Sequence, residues 1–359
     1  MAREPRIEYP GAIYHVYNRG DRGGAIYRDV ADRERFLDGL EEACGKTGWI
    51  VHAYVLMTNH YHLLIETPEA NLVAGMKWLQ GTYTQRFNKR HHVSGSLFGG
   101  RYKSPVVDPG EGGYFESVST YIHLNPARTG SIDPGSQKLE MYAWSSYPWY
   151  LKQGRQRPKW LCVVRTLGCF DQTDTPEGRK RYQQYMAGRL QQLTTDKGRE
   201  ALQAQWKAIR RGWCLGGDAF RKRLLAGRNR LRTDRRHGPS AGEPATTDDE
   251  RKAERLLSAA LAELNLTLPE LRQRAKSDPD KQLLAWLLRK NTVAGNRWIS
   301  DKLEMGHISN VSNSVRRIHE SKQQEIVSLR NRVEQILNDR TDSHDDHTDS
   351  VVPDPGRAR

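Results

Sequence analysis

Long apolar runs, paired cysteines and internal repeats are what this 359-residue chain lacks. No stretch approaches the ~18–20 apolar residues that cross a bilayer. The opening residues Met1-Ala-Arg-Glu-Pro-Arg-Ile-Glu8 hold no apolar core of the kind a secretory leader carries. A cytoplasmic location, with no membrane partner, is the expectation. The four cysteines (Cys44, Cys162, Cys169 and Cys214) form no Cys-x-x-Cys pair. That argues against both a thiolate zinc site and a disulfide framework, and the four read as free thiols, mostly packed.

Positive charge, by contrast, is in excess and unevenly spread. The formal net charge is +14. Residues 1–150 hold 16 Lys/Arg against 16 Asp/Glu, whereas residues 151–240 hold 22 against 7. A basic stretch of this kind favours a polyanionic partner, because phosphate contacts release condensed counterions. A solvated basic linker is the plain alternative, and charge alone supplies no base specificity.

The hydrophobic pattern divides the chain. Ala12–Tyr17 reads as a strand ending in the turn signal Asn18-Arg19-Gly20. Asp29–Gly45 reads as a helix, with Phe36, Leu37, Leu40 and Cys44 at 3–4 spacing. Trp49–Met57 and Tyr61–Glu66 read as two strands. A second helix is expected from about Asn71 to Arg90, with Val73, Met76, Leu79, Tyr83 and Phe87 on one stripe. Gly95–Asp108 reads as a loop entering a strand, and Gly113–Asn125 as a third helix stopped by Pro126. This order predicts an α+β fold: a ferredoxin-like split βαβ antiparallel sheet with helices on one face and an extra helix appended. The expected layout is a catalytic domain over 1–135, a basic, aromatic-rich helical region over 136–235, a linker over 236–248, a helical domain over 249–340, and a disordered, Asp/His-rich tail over 341–359.

Two short motifs carry chemistry. In Met57-Thr-Asn-His60-Tyr61-His62-Leu-Leu-Ile, residues two apart on a strand share a side of the sheet. His60 and His62 therefore present two imidazoles together, half of a divalent metal site. Such a pair is also ordinary polar surface. In Tyr121-Ile-His-Leu-Asn125-Pro126, Tyr121 and Asn125 are four apart and share a helical face. Together they offer a nucleophilic phenol and an amide oxygen; a half-buried aromatic and a helix stop is the plain alternative. Tyr114 and Tyr102 lack such a polar neighbour. His91-His92 reads as DNA-facing or solvated, and Arg128 as a cap on the helix C-terminus.

In sum, these pieces resemble a family. His60-Tyr61-His62 looks like the signature of the HUH endonucleases, and its setting looks like that of the single-tyrosine HUH transposases. Tyr121-Ile-His-Leu-Asn-Pro-Ala-Arg128 is similar to their nucleophile-bearing helix. Tyr14-His-Val-Tyr-Asn18-Arg19-Gly20 and Leu97-Phe-Gly-Gly-Arg101-Tyr-Lys-Ser104 resemble stretches of the REP-associated tyrosine transposases. The matches span about residues 8–130. The resemblance implies Mg2+ or Mn2+ held by His60, His62 and Asn125, where other members carry Gln at the Asn125 position. It also implies Tyr121 as nucleophile, forming a 5′-phosphotyrosine with single-stranded or hairpin repeat DNA. Arg19, Arg101 and Lys103 are candidate phosphate contacts. Monomer and homodimer both stay open.

Toward the C-terminus, Trp298–Met305 and Asn310–His319 flank a Gly306 turn, a pattern similar to the helix-turn-helix of DnaA initiators. Ile299, Leu303, Ile308, Val311, Val315 and Ile318 supply the apolar contacts. Ser309, Asn310, Ser312, Asn313, Arg316 and Arg317 face outward, and the last helix would enter a major groove. The function expected overall is metal-dependent strand cleavage and transfer. Its rivals are a domesticated DNA-binding regulator that does not cut, and a metal-dependent hydrolase in which Tyr121 is structural.

Overall fold

The computed structural model describes residues 6–331 apart from 111, 112, 210, 211, 238–247, 322, 325 and 329. The expected tail over 341–359 lies outside the described residues. So does the expected linker over 236–248, save for its first two residues and its last, which end and begin helices. The chain divides into two units, residues 1–244 and 245–359.

In the first unit, β1 (Ala12–Arg19), β2 (Ile50–Leu56), β3 (His60–Thr67), β4 (Val106–Val107) and β5 (Cys214–Leu215) form one sheet in the order β2-β3-β1-β4-β5. The first four are antiparallel neighbours in the split βαβ order, and β5 joins β4 in parallel. The fold is thus α+β, as expected.

Helices α1 (Val30–Thr47) and α2 (Leu72–His91) lie on one face. Tyr61 meets them there: its ring packs on Phe36 at 5.0 Å, and its hydroxyl accepts a bond from the Gln80 amide at 2.9 Å. Asp29 caps α1 by accepting the Asp32 N–H at 3.0 Å, and Gly48 ends it in the left-handed region at φ 72°. On α2, Met76, Leu79, Tyr83 and Phe87 are buried, but Val73, expected on their stripe, is exposed. It sits in the first turn, where the Val73 N–H bonds Glu8 instead. Buried Asp32 ties α2 down through Arg90 at 2.6 Å and His91 at 2.8 Å. His91 therefore joins helices rather than facing solvent.

Helix α3 (Tyr114–Arg128), the appended one, covers the opposite face of β2 and β3. Pro126 does not stop it. So near the C-terminus proline removes one backbone bond, and its own carbonyl accepts from the Ser131 and Ile132 N–H groups. Behind α3 pack α4 (Tyr147–Tyr150), α5 (Val164–Gly168), α6 (Pro176–Gln192) and α7 (Asp196–Ile209), and α8 (Asp218–His237) follows β5. The aromatics of 140–213 split between roles. Tyr147, Tyr150 and Trp206 are core, whereas Trp213 is exposed.

The second unit contains α9 (Asp248–Glu263), α10 (Leu268–Gln273), α11 (Pro279–Asn291), α12 (Asn296–Lys302) and α13 (Ile308–Glu320). Ile299, Leu303, Val311 and Ile318 are core, as the pattern predicts, whereas Ile308 is exposed at the first position of its helix. Among the described residues no helix is long and apolar enough to cross a membrane.

Candidate active site

Register builds the site. β1 and β3 pair antiparallel with Arg19 opposite His60, Tyr17 opposite His62 and His15 opposite Leu64. Side chains alternate faces along a strand. Tyr61 and Leu63 therefore point toward α1 and α2, while His60 and His62 point toward α3, joined by His15 and Tyr17 from the neighbouring strand. The His60 and His62 rings stand 5.2 Å apart, nearly perpendicular.

From α3, the Tyr121 ring meets His62 edge-on at 5.4 Å and His15 at 5.8 Å. One turn on, Asn125 reaches His60, whose proton affinity its amide partly restores. A phenol, an amide and two imidazoles thus converge from one helix and one strand. Tyr114 stands two turns earlier on the helix, and Tyr102 is buried beneath Arg6, whose guanidinium lies 3.8 Å from its ring.

Burial governs the electrostatics. Desolvation disfavours a charged imidazole. It lowers His60 to about 4 and His15 to about 3, and it holds His62 well below the ordinary histidine range. The Arg128 charge lowers both His60 and His62 further. All three rings are neutral at pH 7 and so retain lone pairs.

His15 and His62 share a hydrogen bond, Nε2 to Nδ1, at 2.9 Å, and His15 also lies against the Ile209 backbone. If His62 donates its Nδ1–H to His15, its Nε2 faces the site as an acceptor. A bond on one ring nitrogen fixes which other nitrogen can ligate. His60 is oriented likewise, its Nδ1 2.8 Å from the Asn59 oxygen.

The donor set suits a divalent cation. Asn125 is 0% exposed, yet neither its Oδ1 nor its Nδ2 has a hydrogen-bond partner of normal geometry. Buried polar groups are seldom left so, and an amide oxygen beside two neutral imidazoles matches the ligand chemistry of a small divalent ion. Among the described residues no group of three or more His, Cys, Asp or Glu side chains is placed to hold a metal. The Asn125 amide oxygen is the donor that stands beside the two imidazoles.

The surroundings contain residues that motif reading missed. Arg128 is not merely a cap: its guanidinium carbon lies 5.2 Å from the Tyr121 ring centroid. Trp206 of α7 meets the Tyr121 ring edge-on at 5.6 Å, and Tyr121 is 1% exposed. His15 lies within the Tyr14–Gly20 stretch, but no motif gives it a role of its own. Of the candidate phosphate contacts, Arg19 and Lys103 are exposed and border the site, Arg19 opposite His60 and Lys103 5.8 Å from the Tyr17 ring. Arg101 is exposed near the Tyr17–Lys103 bridge. In the second unit, Arg316 and Arg317 are exposed on α13, whereas Asn310 is half-buried and donates to the Met305 carbonyl at 2.7 Å.

Residues 10–125 match the family model described as IS200-like transposase. No curated protein matches the chain. A solved structure of a REP-associated tyrosine transposase bound to a REP hairpin aligns over 45% of this chain and 92% of its own. The identity is 12% and the TM-score 0.36.

Proposed function

We propose that this protein, whose residues 10–125 match the IS200-like transposase model, cleaves and rejoins single-stranded DNA of hairpin or repeat character through a Tyr121 phosphodiester. The observation that carries this reading is the meeting of Tyr121 with His60, His62 and Asn125 on the face of the sheet covered by α3.

Tyr121 Oη attacks the scissile phosphorus, an O–P bond forms, and the bond to the 3′-oxygen breaks. The 3′-oxygen leaves as a hydroxyl, and the 5′ end stays on the enzyme. The phosphotyrosine conserves the phosphodiester, so a second 3′-hydroxyl can reverse the step without a nucleotide cofactor. A free phenol is a weak nucleophile near its usual pKa of ~10. Mg2+ or Mn2+ held by His60, His62 and Asn125 would polarise the phosphate and offset the charge that develops there. His15 keeps His62 in its ligating tautomer, and Arg128 adds a fixed positive charge beside the phenol. Arg19, Arg101 and Lys103 carry the strand's phosphates past the site. The helix pair α12–α13, with Asn310, Arg316 and Arg317, contacts duplex DNA as a helix-turn-helix.

The burial of Tyr121 under Trp206 favours a second reading, a DNA-binding regulator that does not cut. One assay separates them. Labelled single-stranded hairpin DNA is incubated with the protein and Mn2+, and a denaturation-resistant adduct is sought. The adduct is expected with the natural chain, absent with Tyr121→Phe and nearly absent with His60→Ala. Tight binding with no cleavage would establish the regulator; cleavage with no adduct would establish a hydrolase.

A further inference from the structure

A second constellation of chemically active side chains lies four residues further along β3, roughly 13 Å by strand rise, on the same face of the sheet. His52 is the extra residue of a β-bulge: Val51 pairs with Ile65 and Ala53 with Leu64, so His52 has no partner across the strand. Bulges re-aim side chains, and this one turns the imidazole onto Glu66. His52 Nε2 lies 2.9 Å from Glu66 Oε2, and Arg165 of α5 holds the same carboxylate oxygen at 2.8 Å. Phe115 of α3 closes the ring edge-on at 5.1 Å, and the Tyr150 hydroxyl bonds the His52 carbonyl.

With Glu66 accepting the Nε2 proton, the lone pair of neutral His52 is on Nδ1. That atom is fully buried and has no hydrogen-bond partner of normal geometry. The Cys162 thiol stands beside this ring, and each shifts the other's proton affinity. Cys162 is held in place by its backbone N–H, which donates to the Val51 carbonyl at 2.9 Å, and it is partly open to solvent. Nucleophile, base and an acid that orients the base stand in sequence, the arrangement that activates a weak nucleophile.

We propose that Cys162 is a reactive thiol, activated by His52 under the control of Glu66 and Arg165, that is alkylated by soft electrophiles and oxidised by peroxides. In alkylation the thiol proton passes to His52 Nδ1, sulfur attacks the electrophilic carbon, a C–S bond forms and the halide leaves. With a peroxide, sulfur attacks one oxygen, an S–O bond forms and the O–O bond breaks. Sulfur loses two electrons to the peroxide, and the leaving oxygen takes the proton from His52.

The charges around the pair agree with this. His52, first of all, holds the Cys162 thiol below the usual thiol range, against burial, and the Arg165 and Val164 N–H groups add to it. Burial opposes a charged His52, but Cys162 and Glu66 outweigh it and raise His52 above its ordinary value. Tyr150, Cys169 and Arg157 are also nearby, with Glu116 beyond Cys169. Cys169 is exposed, with its thiol raised, and serves as an internal reference.

The test is limited iodoacetamide labelling of the full chain between pH 5.5 and 8.5, with each cysteine quantified by peptide mass spectrometry. At pH 6.5, Cys162 should label about tenfold faster than Cys169, the gain from a higher thiolate fraction less the lower intrinsic nucleophilicity that accompanies it. Its rate should rise less steeply over this pH range than that of Cys169, because His52 lowers the Cys162 thiol while burial raises that of Cys169. Dilute hydrogen peroxide with a sulfenate trap should mark Cys162 in the same preference. His52→Gln should bring Cys162 to the Cys169 rate, and Glu66→Gln, at a partly exposed position, should slow it several-fold without threatening the fold. Equal rates and parallel pH profiles for the two cysteines in the natural chain would overturn the proposal. So would an unchanged rate in Glu66→Gln or in a His52→Gln protein whose melting shows it folded.

Discussion

Asn125→Leu should make the metal-free protein more stable and remove its response to metal. The side chain is fully buried, and both polar atoms of its amide lack well-formed partners. An unsatisfied buried polar group costs about 1–3 kcal/mol, and a similar-volume apolar replacement avoids that cost at under about 1.5 kcal/mol of packing loss. The expected net change is therefore about +1 kcal/mol, or roughly 2–4 °C in melting temperature for a unit of this size. Mn2+ at 100 times its dissociation constant should stabilise the natural chain by about 2.7 kcal/mol, and Asn125→Leu by much less. The assay is thermal melting of both proteins in EDTA and in a Mn2+ series, followed by urea unfolding to separate stability from cooperativity. Two results would refute the reasoning. A metal-free Asn125→Leu destabilised by more than about 1 kcal/mol would mean that the amide is satisfied in the fold. An equal Mn2+ shift in both proteins would mean that the ion is held without this oxygen.

Three further outcomes follow from neighbouring contacts. Trp206→Ala, which uncovers Tyr121, should cost about 3–5 kcal/mol of stability while raising the rate of adduct formation on hairpin DNA; a fall in rate in the folded variant would show that Trp206 assists rather than covers. Asp174 holds buried Arg157 at 2.6 Å and Arg179 at 2.7 Å, so Asp174→Ala should destabilise by about 3 kcal/mol in denaturant melts because it strands a buried guanidinium. Arg157 foremost lowers the Asp174 carboxyl below its ordinary value. The stabilisation from this pair is then present above about pH 4 and lost as pH falls through the lowered value, which melts from pH 2 to 6 would reveal as a slope absent from Asp174→Ala. Arg316→Ala with Arg317→Ala should weaken duplex binding uniformly across sequences and reduce the slope of log affinity against log salt by about 2; an unchanged slope would remove α13 from the DNA surface.

How much of this was legible in the sequence depends on the range of the interaction. Features set by chain neighbours could be read directly. Asp29 caps α1 because its carboxylate reaches an N–H three residues on. His60 and His62 share a face because strands alternate, and Tyr121 and Asn125 share one because helices turn every 3.6 residues. The strand and helix order of the first 128 residues followed from the same two periods. Features set by register or by packing could not be read. His15 enters the site only because β1 pairs with β3 in one particular register, and nothing local to Tyr14-His-Val-Tyr specifies that register. Arg128 looked like a cap because Pro126 looked like a stop; once α3 runs one turn further, Arg128 lies over Tyr121. Trp206 could have been a stacking platform or core, and composition cannot distinguish the two. Cys162, His52 and Glu66 are separated by up to 110 positions, and the bulge that gathers them leaves no sign in the residues themselves.

The depth of the site argues for a coupling between strand binding and α7. Tyr121 is enclosed by His15, His62, Arg128 and Trp206, with Ile209 at the end of α7 against His15. A phosphate cannot approach a phenol that is 1% exposed, so any strand that reacts must first displace part of this wall. The displaceable part is α7 rather than β1 or α3, because β1 is paired on both sides within the sheet and α3 carries Tyr121 itself. Withdrawing Trp206 would expose an indole worth several kcal/mol of burial. Strand binding would have to supply that energy, which leaves Tyr121 protected from phosphates that bind weakly. On this argument Trp206→Ala should relax substrate selection as well as speed the adduct, giving measurable reaction with short unpaired strands that the natural chain ignores. If the variant gained rate on hairpins and on short strands in the same proportion as on binding alone, the wall would be a passive cover and the coupling would fall.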